Sequence, residues 1–176
     1  MQVIDWQKII EKHGASVWQV SYRLLGNYAD ASDCFQETFV SALKVCGHQK
    51  VKNFPALLIR LATARAIDQL RRRFRQESNN SPADNETYAS NKMSDPSNFV
   101  QNQELGERLR KAIVKLPVQE AQVFCLRHLN DMSYRQIAKE LDLKTNNVGV
   151  LLHRAKEKLQ KSLTISPGKQ KSEVVL

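Results

Sequence analysis

The sequence predicts an all-α chain built as two small helical domains joined by a flexible linker, and three observations carry that expectation. Apolar residues recur at three- and four-residue steps from Asp5 to about Arg75, and the same periodicity returns near Leu105. No stretch of any length alternates as a half-buried strand would. Between Gln76 and Asn102, Ser, Asn, Asp and Pro dominate and apolar residues are sparse, a composition that cannot bury a core of its own. The expected boundaries are a first domain over 1–75, a linker over 76–102, a second domain over 103–165 and a polar tail over 166–176.

Each element has its own signals. Asp5 suits the N-cap of a first helix through Ile9–Ile10 and Val17–Leu25, with Gly14 as a kink or break and Gly26-Asn27 as the stop. A second helix is expected from about Ala29 to Cys46, stopped by Gly47. On it Phe35, Phe39, Ala42 and Leu43 repeat at helical steps and are assigned to the core. After a polar loop, Pro55 suits the first turn of a third helix that runs through Leu58, Leu61 and Ile67 into a run of arginines. Beyond the linker a helix reaches Leu116, Pro117 restarts the chain, and three more helices follow at about 118–128, 133–141 and 145–163.

Composition narrows the class of partner. The 27 Lys and Arg residues exceed the 18 Asp and Glu by enough to give a net charge of +9, spread along the chain rather than gathered in a tail. Such an excess attracts polyanions, and nucleic acid leads that class. Cys34, Cys46 and Cys125 are odd in number and far apart, each within an apolar pattern, which suits buried free thiols in a reducing compartment. No leader-like segment opens the sequence and no window is apolar enough to span a bilayer, so a cytoplasmic protein without membrane insertion is expected. Neither a Gly-rich phosphate loop, a nucleophile elbow nor paired metal-ligand spacing is present. Catalytic residues, a metal and cofactors are therefore not expected.

The segment from Ser133 to Arg154 has the pattern of a helix-turn-helix. Ser133 and Gln136 are spaced for a capping box; Ile137, Ala138 and Leu141 form one inner face, Leu143 plugs the turn, and Val148, Leu151 and Leu152 form the other. Such a pair sets its second helix in a major groove. Asn146, Asn147, Gly149, Val150, His153 and Arg154 then face outward, with Lys156, Lys158 and Lys161 near phosphate height. In the first domain Asp33, Gln36, Glu37 and Val40 share a helix face that is acidic and hydrogen-bonding in an otherwise basic chain, which suits a protein partner better than DNA. Arg60, Arg65 and the run Arg71-Arg72-Arg73-Phe74-Arg75 suit phosphates, because each phosphate neutralised releases counterions.

Leu116-Pro117, Val123 to Arg127, Ser133-Tyr134, Ile137-Ala138 and His153-Arg154-Ala155 together resemble the promoter-binding domain of bacterial extracytoplasmic-function sigma factors, members of the sigma-70 superfamily. Independently, Tyr22 to Phe39, with Asp33 ahead of Gln36-Glu37-Thr38-Phe39, resembles that family's polymerase-docking signature. Leu58 to Arg71, with Ala62, Asp68 and Arg71, is similar to its promoter-melting helix. The resemblance implies region 2 and region 4 domains, RNA polymerase core and promoter DNA as partners, and an anti-sigma factor as a further one. It assigns Asp33, Gln36 and Glu37 to core binding. Lys50, Lys52 and Asn53, in the loop where the family captures a flipped base, join Arg60, Arg65, Arg71, Arg72, Arg73 and Arg75 at the melted minus-ten element. Asn146, Asn147, Gly149, Val150, His153, Arg154 and Lys156 fall to the minus-thirty-five element.

The chain departs from the family pattern in places. Leu57 and Ala64 stand where a Trp and an Asn are usual in the melting helix, Asp142 replaces a turn Gly, and Gly149-Val150 removes two customary basic positions. Phe54, which could stack on a base, is assigned instead to the core as a staple beside Pro55. The rival function, an operator-binding helix-turn-helix regulator, accounts for the C-terminal half but leaves the Asp33–Phe39 face and the arginine run without a role.

Overall fold

A computed structural model describes residues 4–79 and 96–164, which form seven α-helices. They are α1 (Trp6–Leu25), α2 (Tyr28–His48), α3 (Phe54–Asn79), α4 (Pro96–Lys115), α5 (Val118–His128), α6 (Tyr134–Glu140) and α7 (Thr145–Thr164). The expected all-α class is what the described residues adopt. Helices α1, α2 and α3 pack on one another, as do α5, α6 and α7, with α4 bridging to α3 and α7.

Local chemistry fixes the ends. The Asp5 side chain accepts from the Lys8 amide at 3.2 Å and opens α1. Gly26 ends α1 in the left-handed region, at φ 75°, with its amide donating to the Tyr22 carbonyl at 2.8 Å. Asn27 then caps α2, accepting from the Asp30 amide at 2.9 Å. Two glycines behave differently from the sequence reading. Helix α1 runs unbroken through Gly14, which is buried, and α2 passes Gly47 to end at His48. At Gly14 the Phe35 ring and the Ile10 side chain pack close by, enough to outweigh the roughly 1 kcal/mol propensity cost of glycine, whereas Gly47 is exposed and sits one residue from the helix end.

Helical structure also enters the expected linker from both sides, since α3 continues to Asn79 and α4 starts at Pro96. The remainder of that stretch, 80–95, and the polar tail over 166–176 lie outside the described residues. On α2, Phe39 and Ala42 are buried as expected, but Leu43 is 49% exposed and is not core. Leu57, in place of the family's usual Trp, is buried.

The two halves do not stand apart. Val17, Leu24, Leu58, Ile67 and Leu70 of the first half belong to the same continuous apolar cluster as Ile113, Leu116, Cys125 and Leu159 of the second. A second cluster joins Ala56 of α3 to the helix-turn-helix core of Val123, Leu126, Ile137, Ala138, Val148 and Leu152. Burial of an Ile or Leu side chain stabilises by about 1.5–3 kcal/mol, against at most about 1 kcal/mol for an exposed ion pair. Apolar burial therefore holds the halves together, and the polar contacts between them set their register.

Candidate nucleic-acid and polymerase interfaces

The helix-turn-helix forms as its sequence dictates. The Ser133 hydroxyl accepts from the Gln136 amide at 3.2 Å, and the Gln136 side chain accepts from the Ser133 amide at 2.8 Å, which completes the capping box. Asp142 occupies the left-handed region, at φ 52°, where the turn Gly of the family would sit, and the Leu143 amide closes the turn on the Ala138 carbonyl at 2.8 Å. Val148, Leu152, Ala155 and Leu159 are buried along one side of α7. Asn146, Asn147, Val150, His153, Arg154 and Lys156 are exposed on the other. Gly149 is half covered: a Cβ there would stand 3.7 Å from the Tyr134 ring, so that ring, rather than open space, lies over it. Lys158, expected near phosphate height, is instead engaged by the buried Glu120, 2.9 Å from both carboxylate oxygens.

On α2, Asp33, Gln36, Glu37 and Val40 are all exposed and share one face. They line a groove of about 450 Å³ whose far wall is Arg65 and Arg72 of α3. Arg65 donates to the Ser41 hydroxyl at 3.0 Å and is held on this side. Arg65 and Arg72 thus line the same groove as the acidic face of α2. In the preceding loop Lys50 and Lys52 are exposed, and Asn53 caps α3 by accepting from the Ala56 amide at 3.1 Å. Phe54 is half-buried and meets the Trp6 ring edge-on at 6.2 Å, so it staples α1 to the start of α3.

The remaining arginines of α3 divide by partner. Arg60 Nε lies 3.6 Å from the Glu140 carboxylate of α6. Arg71 donates to the Leu116 carbonyl at 2.9 Å. Arg73 donates to both Glu107 oxygens of α4, at 3.1 and 3.3 Å, and to the Leu25 carbonyl at 3.1 Å. Arg75 is exposed, beside Lys111 and Lys115 on the rim of a groove around Phe74. Three of the six arginines expected at promoter DNA are therefore engaged by the C-terminal half.

Sequence reasoning missed the other members of this junction. Arg110 of α4 donates to the Leu24 carbonyl at 2.7 Å and the Arg23 carbonyl at 3.3 Å, capping the end of α1, and contacts Glu107 at 3.4 Å. Burial pushes the Arg110 guanidinium below its ordinary value, while Glu107 beside it acts in the opposite direction. Asn130 donates to the Thr63 hydroxyl at 3.3 Å, and Arg23 to the Leu129 carbonyl at 3.0 Å. A Cβ on Gly26 would fall 2.6 Å from the Arg110 guanidinium, so the one residue type that suits the left-handed stop also leaves room for this contact. No local pattern announces such pairs, because their members are far apart in sequence.

Among the described residues no group of His, Cys, Asp and Glu converges to hold a metal ion, and no helix is long and apolar enough to cross a membrane.

Comparison with known proteins returns the same two units in the same order. Residues 9–76 match the family model of sigma-70 region 2, and residues 106–159 that of sigma-70 region 4. The chain is 28% identical over 156 residues to the ECF RNA polymerase sigma factor SigE of Mycolicibacterium smegmatis, covering 89% of this chain and 60% of that one. It is 27% identical over 162 residues to the ECF sigma factor SigW of Bacillus subtilis, covering 88% and 87%. Two solved structures share the fold. The sigma factor RpoE of Bartonella quintana, in complex with the anti-sigma factor NepR, aligns with a TM-score of 0.55 at 19% identity over 93% of this chain and 99% of that one. CnrH, in complex with the cytosolic domain of CnrY, aligns with a TM-score of 0.58 at 20% identity over 92% and 89%. With region 2 and region 4 both matched, in order and on a fold shared with sigma factors, the chain belongs to the sigma-70 family as a member of its extracytoplasmic-function group.

Proposed function

We propose that this chain is a promoter-specificity subunit of bacterial RNA polymerase, which binds the core enzyme and directs initiation at a particular set of promoters. The observation that carries the reading is the ordered pair of region 2 and region 4 matches, which a free-standing operator-binding regulator would not need. The division of labour follows the proposed domains, 1–75 for docking and melting and 103–165 for upstream recognition. Asp33, Gln36 and Glu37 meet the core through carboxylates and an amide on a rigid helix, with Val40 adding an apolar contact. Arg71, Arg72, Arg73 and Arg75, with Arg60 and Arg65, bring phosphates to α3 by counterion release. Lys50, Lys52 and Asn53 border the loop that holds an unstacked base, whose extrusion costs a few kcal/mol and must be offset by such contacts. Helix α7 enters the upstream major groove with Asn146, Asn147, Gly149, Val150, His153, Arg154 and Lys156.

The chain acts as a non-catalytic cytoplasmic subunit without a cofactor. An anti-sigma factor of the kind bound to the Bartonella quintana protein is a further partner of this one.

Run-off transcription with purified core polymerase on a promoter library tests the reading. Addition of the chain should give discrete starts that core alone does not. Asp33→Lys with Glu37→Lys should abolish them, weakening core affinity about tenfold or more while leaving helicity unchanged. Tight binding to a duplex operator without core, and no starts with it, would make the chain an ordinary regulator.

A further inference from the structure

Gly149 lies in the second turn of α7, in ordinary helical backbone, whereas the glycine in the left-handed region is Gly26. Backbone geometry therefore does not ask for glycine at this position. A Cβ there would meet the Tyr134 ring at 3.7 Å, an ordinary contact distance, so packing does not exclude a side chain either. Glycine nevertheless weakens a helix interior relative to alanine. The fold bears that cost without needing the residue.

What the missing side chain leaves is a shallow notch on the exposed surface of the helix-turn-helix. Its walls are the ring of Tyr134, which is 39% exposed, and the methyls of Val150, which is 49% exposed. Asn146 borders it one turn before, His153 and Arg154 one turn after, and Glu157 stands at its far end. The Tyr134 wall is well held. Tyr134 opens α6 directly after the Ser133 and Gln136 capping box, and the Arg127 guanidinium lies 5.6 Å from its ring centroid while donating to the Met132 carbonyl at 3.0 Å.

The notch is a surface of carbon. The ring carbons of Tyr134 and the methyls of Val150 make no hydrogen bonds, so they cannot match the donors and acceptors by which guanine, cytosine and adenine are told apart in the major groove. Thymine alone presents an apolar group there, its C5-methyl. An arginine or lysine at 149 would instead favour guanine.

We propose that Tyr134, Gly149 and Val150 form a notch that receives the C5-methyl of a thymine in the upstream promoter element, which makes Tyr134 a specificity-determining residue outside the recognition helix. The proposal rests on the sigma-factor reading, which brings α7 into that groove, and deepens it by naming the base. Asn146, His153 and Arg154 keep the hydrogen-bonded readout to either side.

Holoenzyme reconstituted from purified core and the full-length chain tests this on a promoter drawn from the run-off library. Each upstream thymine is replaced in turn by deoxyuracil, which keeps every hydrogen-bonding group and lacks only the methyl. Wild-type holoenzyme should lose affinity by about three- to fivefold at one or two of these positions, the worth of one buried methyl. Gly149→Ala sets the protein's own methyl where that of thymine would sit. The deoxyuracil penalty should vanish in this variant, while its Tm rises by about 2–4 °C as glycine leaves the helix interior. Tyr134→Ala, which removes a wall, should erase the penalty without the gain in Tm, and Gly149→Arg should turn the preference at the same position to guanine.

A selected upstream element without thymine, or thymines that all tolerate deoxyuracil, overturns the proposal. So does a penalty that survives Gly149→Ala, since a glycine of merely structural importance would change Tm and leave base preference alone. A fall in Tm for Gly149→Ala removes the premise that the fold does not need glycine. Should Tyr134→Ala fail to fold, as read by far-UV circular dichroism, Gly149→Ala decides by itself. If core polymerase gives no starts with the chain, the sigma-factor reading fails, and the same deoxyuracil comparison on duplexes selected by the chain alone still decides the notch.

Discussion

Lys158 Nζ lies 2.9 Å from each carboxylate oxygen of Glu120, tying the recognition helix α7 to α5. The two partners are unequal: the Glu120 side chain is 6% exposed and the Lys158 side chain 49%. Their removal should therefore be unequal too. Lys158→Met leaves a buried carboxylate without its cation and should destabilise by about 2–3 kcal/mol, below the full cost of breaking a wholly buried pair because water reaches this one. Glu120→Met leaves a lysine that turns to solvent and should cost about 1 kcal/mol or less. Urea unfolding of the two single variants checks the order.

Asp142 sustains a left-handed backbone at the turn between α6 and α7, with φ at 52°. An L side chain there costs energy that glycine does not, partly offset by the greater freedom glycine gives the unfolded chain. Asp142→Gly should raise stability by up to about 1 kcal/mol, whereas Asp142→Val should lower it by about 1–2 kcal/mol. Thermal unfolding distinguishes the two directions.

Much of the architecture was legible before any coordinates. The capping box of Ser133 and Gln136 and the inner face of Val148 and Leu152 follow from spacing and residue type alone, and the turn at Asp142 from the family resemblance. What was not legible is how the halves meet. Arg73 reads as a phosphate ligand because guanidinium density is a local property, while its pairing with Glu107 depends on α4 folding back over the end of α1. Leu43 failed for a related reason: helical periodicity gives a face but not its width, and among the described residues Leu43 stays exposed. Gly14 shows the converse, since propensity marks a possible break that packing can override.

The three thiols should separate by chemistry. Cys34 and Cys125 are buried and Cys46 is half-buried, so iodoacetamide should label Cys46 in the folded chain and the other two only after unfolding. Burial pushes the Cys125 thiol up to about 12 from the ordinary 9.0. Above pH 9 the unfolded chain then gives up this proton before the folded chain does. The folded state retains more protons, so stability falls with rising pH across the interval from 9.0 to about 12. Cys125→Ala should flatten that alkaline slope, as followed by urea midpoints at stepped pH.

His153 and Arg154 are neighbours on the exposed face of α7, and they are the strongest hydrogen-bonding groups left beside Gly149 and Val150. His153→Ala should relax preference at one or two upstream base pairs, each worth about 1–3 kcal/mol. Arg154→Ala should either do likewise or, if its guanidinium holds a phosphate, weaken all promoters equally. A promoter-library selection with reconstituted holoenzyme reads both outcomes, and wild-type preference with wild-type affinity in both variants would remove α7 from the upstream groove.

The apolar cluster that runs from Leu58 and Leu70 into Ile113 and Leu116 also bears on temperature. Parting the halves would hydrate these side chains, which makes the heat capacity of opening positive. Hydrophobic attraction weakens on cooling, so the seam between the halves should loosen in the cold while each half, with its own helices packed, remains folded. A chain that meets its polymerase at low temperature would then start from a population already shifted toward separation, and warming would close it by the release of ordered water.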